Sequence, residues 1–130
     1  MKNPAFQVIL WSIFLSACGS DTSVSECERF DVLAIEMDQT LDEILEQYRA
    51  DFLFIRRIRA SQVDWINYRN SHILSLYTGN EDSYGDNYAE CRCRELNKMA
   101  EARIEQLSHW LNDNSDLECV DSSHSPSRQP

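Results

Sequence analysis

The chain has no glycine between Gly19 and Gly79 and no proline between Pro4 and Pro126. Those are the two residues that a helix interior tolerates worst, at a cost of about 1 and about 3 kcal/mol relative to alanine. So long a run without either points to helix. The apolar residues Phe30, Leu33, Met37, Leu41, Ile44, Tyr48, Phe52, Ile55, Ile58, Trp65, Ile73 and Leu76 recur at steps mostly of three or four. That is the period of an amphipathic helix, whereas a half-buried strand alternates. Ser25, with Glu28 three residues on, resembles a capping box and starts the first helix. The stripe then runs from about 26 to about 77, too long for an ordinary globular helix. A bend or break is expected near Asp51–Arg59, where it widens to Phe52, Leu53, Phe54 and Ile55. One unbroken helix is the other possibility.

Thr78 to Asn87 (Thr-Gly-Asn-Glu-Asp-Ser-Tyr-Gly-Asp-Asn) is the clearest turn signal in the chain. A final helix is expected over about 87–112, its inner face formed by Ala89, Cys93, Leu96, Ala100, Ile104, Leu107 and Leu111. Asn112-Asp113-Asn114-Ser115 ends it. The expected fold is all-α, a small antiparallel bundle of two or three long helices. A core of this size gains from disulfide staples.

The N-terminus reads as an export signal. Lys2 precedes an apolar run from Phe6 to Leu15, too short to span a bilayer. The run ends in Leu15-Ser16-Ala17-Cys18-Gly19, which resembles the bacterial lipobox. In such signals the leader is cut just before the cysteine, which is acylated and becomes the new N-terminus. Cys18 is therefore the expected lipidation site, and several acyl chains there give durable membrane attachment. The expected organisation is a lipoprotein signal peptide at 1–17, a lipidated cysteine and polar tether at 18–25, a helical domain at 26–119 and a disordered tail at 120–130. Gly19, rather than aspartate, follows the cysteine. By resemblance to Gram-negative sorting rules, this places the protein in the cell envelope, on the outer membrane facing the periplasm.

Of the five cysteines, assigning Cys18 to lipid leaves Cys27, Cys91, Cys93 and Cys119. Four thiols in an oxidising compartment suggest two disulfides. Residues two apart on a helix point to different sides, which disfavours a Cys91–Cys93 bridge. Cys27 is expected to pair with Cys91 or Cys93, and Cys119 to take the other. Metal binding fits less well: Cys-x-Cys lacks the usual zinc spacing, and His72, His109 and His124 supply no second pair. No cofactor is expected.

Acidic residues outnumber basic ones, 22 to 12. That balance argues against nucleic acid, whose phosphates need a basic face. It favours a cationic partner, although it also simply keeps a small protein soluble. No catalytic motif is present, so the chain does not read as an enzyme. Asn80, Asp82 and Asp86 in the turn only loosely mimic calcium ligands, and no glutamate closes such a loop.

The most informative stretch is Arg59 to Asn70. There Gln62, Trp65 and Arg69 are three and four apart and share a helix face. Such a group commonly serves helix packing, with the tryptophan buried and the arginine stacked on it. Gln62-x-x-Trp65-x-x-Tyr68-Arg69 also closely resembles the core of the LprI-like lysozyme inhibitor domain. The likeness extends upstream to Leu41-Asp42 and Tyr48. Downstream it reaches Cys91 or Cys93 and Arg103-Ile104-Glu105-Gln106-Leu107. The chain departs from that pattern at Ser71-His72-Ile73, where the family commonly has a cysteine, and at Asp42, where asparagine is usual. The resemblance implies binding rather than catalysis: an envelope-anchored inhibitor of a cationic lysozyme-type muramidase. A structural or adaptor lipoprotein docking another envelope protein is the alternative. The turn residues Glu81, Asp82 and Asp86 are the nominated partner-binding side chains.

Overall fold

The computed structural model describes residues 24–112 and 127. The leader, Cys18, most of the tether, Cys119 and most of the tail lie outside the described residues. Three helices form the fold: α1 (Glu26–Gln47), α2 (Phe52–Leu76) and α3 (Tyr88–Ser108). A short 3₁₀ turn, Glu81–Ser83, lies between the last two. No described residue is in a strand.

The first helix begins at the expected capping box. Ser25 Oγ accepts from the Glu28 N–H at 3.1 Å, and Glu28 accepts from the Ser25 N–H at 2.9 Å. A further unpaired amide of the first turn, that of Glu26, donates to the Glu90 carboxylate of α3 at 2.9 Å. A negative group there also suits the helix dipole. The break between the first two helices falls at Tyr48–Asp51, N-terminal to most of the expected window. Asp51 caps α2 by accepting from the Phe54 N–H at 2.9 Å. The turn resets the helical phase. Phe52, read as part of one continuous stripe, is 83% exposed, and Phe54 takes the inward position. Leu76 and Ala89, also expected inside, are exposed because they lie at the ends of α2 and α3.

Contacts between the helices give their directions. Gln62 meets Met37 and Arg69 meets Phe30, so α2 runs antiparallel to α1. Cys27 is bonded to Cys93 and Tyr48 donates to the Trp110 carbonyl, so α1 and α3 run parallel. The α1–α3 contact is the most extensive of the three. Met37, Ile44, Tyr48, Phe54, Ile58, Ala100 and Leu107 form the core. At one pole the core is closed by an aromatic cluster. The Tyr48 and Phe54 ring centres are 4.5 Å apart, and Phe54 and Trp110 are 4.9 Å apart. At the opposite pole stands the Cys27–Cys93 disulfide, one of the two pairings expected for Cys27. Beside it Glu26 gathers Arg94 Nε at 3.1 Å and Asn97 Nδ2 at 2.8 Å. Cys91 is half-buried and unbridged.

A disulfide stabilises a small domain by typically 2–4 kcal/mol. Reduction, or the double substitution Cys27→Ser/Cys93→Ser, should lower the urea-unfolding free energy by about that amount. An unchanged midpoint would contradict the staple. Three carboxyls should also make the fold acid-labile. Glu26 is held below the usual carboxylate range by its bonds to Arg94 and then Asn97. Glu28 is held low by the Ser25 N–H, and Asp51 by the Phe54 N–H. Groups depressed in the folded state stabilise it above their unfolded values and lose that contribution as pH falls through the folded ones. The thermal midpoint should therefore be level near neutrality and drop once the pH passes below about 4.5.

Candidate functional site

Two regions carry the residues singled out in the sequence. The first is the motif core, and it joins helices. Arg103 of α3 is buried between α2 and α3. Its Nε donates to Gln62 Oε1 at 3.0 Å, one Nη to Ser61 Oγ at 2.9 Å and the other to Gln106 Oε1 at 3.2 Å. Gln62, also buried, turns its amide to Met37 Sδ on α1 at 3.1 Å. One side chain thus links all three helices. Burial pushes the Arg103 guanidinium below its ordinary value, and its recorded acceptors are neutral. Arg69 lies with Cζ 5.3 Å from the Trp65 ring centre and 5.7 Å from that of Phe30, a cation–π arrangement that ties α2 to α1. Leu107 is fully buried. Tyr68 differs from its companions: it is 60% exposed and stacks on His72 with ring centres 5.8 Å apart.

The second region is the connection from α2 to α3. Glu81, Asp82 and Asp86 are all exposed there, and none takes part in a recorded ion pair among the described residues. The segment around them is built rather than slack. Tyr77, Tyr84 and Tyr88 pack on one another with ring centres 5.1–5.5 Å apart. The Tyr84 hydroxyl accepts from the Gly79 N–H. A Cβ at residue 79 would come within 2.9 Å of that hydroxyl oxygen, so a side chain there would push the Tyr84 ring end aside. Gly85 has φ +76°, a backbone conformation that side chains disfavour. Tyr77 and Tyr88, with Glu81 and Arg92, also border a cavity of about 300 Å³. Sequence reading singled out the three acids and passed over the three tyrosines. Their spacing of seven and four residues crosses a turn, where helical periodicity has no meaning.

Among the described residues no group of three or more His, Cys, Asp or Glu side chains is placed to hold a metal ion. No described helix is long and apolar enough to cross a membrane. The geometry of the motif core makes a sharp prediction about its role. Gln62→Leu removes one of the three acceptors of the buried Arg103 guanidinium and should cost about 1–3 kcal/mol of stability. Adding Arg103→Met removes the charge left short of an acceptor, so the double variant should be destabilised by less than the sum of the two single changes. Additive losses in urea unfolding would show that the two side chains do not act as a pair.

No curated protein and no solved structure matches the chain. A family model described as "Lysozyme inhibitor LprI" matches residues 20–107, which take in α1, α2, the tyrosine-built connection and nearly all of α3. The chain belongs to the LprI lysozyme inhibitor family.

Proposed function

We propose that this protein is an envelope-anchored inhibitor of lysozyme-type muramidases and has no catalytic activity of its own. Family membership supports the class of role. The observation that carries the reading to this chain is its charge: a formal −10 in 130 residues, with Glu81, Asp82 and Asp86 exposed together on a braced connection. Opposite charge steers a cationic enzyme into encounter, and a segment already ordered loses little entropy on binding. The Tyr, Ser, Gly and Asn content of residues 77–88 also suits a binding loop. In this reading Cys18 carries the lipid and holds the protein in the outer membrane, facing the periplasm. That is the compartment a peptidoglycan-cleaving enzyme must enter.

The mature, oxidised chain should bind a c-type lysozyme with an affinity that falls steeply as salt rises, and should slow its cleavage of cell-wall substrate. Replacing Glu81, Asp82 and Asp86 together with serine should weaken binding about tenfold, since exposed charges contribute up to about 1 kcal/mol each. Calorimetry at two ionic strengths reads both effects. Absence of binding at low salt would remove the inhibitor reading, whereas unchanged affinity of the triple variant would remove only the loop.

A further inference from the structure

A second concavity lies on another face, between the middle of α2 and the middle of α3, with a volume of about 300 Å³. One wall is aromatic, formed by Trp65 and by Tyr68 stacked on His72. The other carries Lys98, Met99, Arg103 and Gln106. Two features set it apart. No acidic side chain lines it, although acids outnumber bases in the chain by 22 to 12. It also holds a buried charge with donors to spare. Arg103 is 9% exposed, and a guanidinium has five N–H groups. Three are used, on Gln62, Ser61 and Gln106. Lys98, at the rim, is paired with Glu95 at 2.6 Å in an exposed contact that is cheap to exchange.

We propose that this groove binds a carboxylate-bearing saccharide of one or two rings. The apolar face of a sugar ring packs on flat aromatic side chains such as Trp65 and Tyr68, whose rings give area with little loss of freedom. Its hydroxyls meet the Gln106 amide and the imidazole of His72. Its carboxylate meets Lys98 and the spare N–H groups of Arg103, the charge-assisted bonds that anchor an anion most strongly. Size selects the ligand class. The volume is at the low end for a small-molecule site and too small for a helix or strand of a protein partner. The site is independent of the acidic connection and of whether the protein inhibits a muramidase.

The test is a titration of the full, oxidised chain with N-acetylmuramic acid, followed by the Trp65 indole and the Tyr68 and His72 ring resonances in NMR spectra. N-acetylglucosamine serves as the matching ring without the carboxylate, and acetyl-Glu-Glu-amide as the matching charge without the ring. The acidic sugar should shift those resonances saturably, at least about tenfold more tightly than either control. Lys98→Gln and Tyr68→Ser change exposed side chains and should leave the fold intact. Each should weaken binding about two- to fivefold. No shift, equal shifts with the uncharged sugar, or tighter binding of the acidic peptide would each overturn the assignment. So would unaltered affinity in both variants.

Discussion

The parallel pairing of α1 with α3 is the contact on which everything else hangs. Parallel neighbours cannot be joined by a tight turn, so a third helix must carry the chain back. That duty falls to α2, which touches the others more lightly. The cost of α1–α3 pairing is the closure of a long loop: Cys27 and Cys93 are 66 residues apart. Two fastenings meet that cost, the disulfide with the Glu26 cluster at one pole and the Tyr48–Phe54–Trp110 stack at the other. With both ends pinned, the middle of α2 is held against α3 by the buried Gln62–Arg103 contact. The Gln62–Arg103 pair is in this sense structural. It secures a loosely packed helix and so fixes where the faces of α2 point.

How far the fold could be read beforehand depended on the range of each interaction. Period and residue type marked the helical stretches and the capping box, because those are local matters, but left open whether residues 26–77 form one helix or two. The phase of α2 escaped. Tyr48 and Phe52 are four apart and look continuous, yet the turn between them places one in the core and the other in solvent. The choice between Cys91 and Cys93 was equally out of reach, since it depends on the rotation of α3 against α1, and that follows from packing across 66 residues. Arg103 was marked only through family resemblance, and Gln62 by that and by sharing a helix face with Trp65 and Arg69. Nothing in the spacing of residues 41 apart says that they touch.

The candidate surfaces divide along similar lines. The acidic turn was visible in composition alone. What makes it a defined shape is the tyrosine cluster, the close approach at Gly79 and the left-handed backbone of Gly85, and these appear only when the ends of α2 and α3 are brought together. The α2–α3 groove was not legible at all. Its aromatic and basic walls come from segments that, read singly, look like an ordinary helix face.

Parallel α1 and α3 start at the same pole, so the 77–88 connection sits beside the beginning of α1. Were residue 18 the acylated anchor of the proposed function, residues 19–24 ahead of the Ser25 cap would span at most about 22 Å, shorter than the roughly 33 Å length of α1. In that reading the pole that carries Glu26 and the acidic connection would lie on the lipid side of the bundle. A guest arriving at that pole would be held in the gap between bundle and bilayer. The length of the six residues ahead of the Ser25 cap would then decide how large a guest that gap admits.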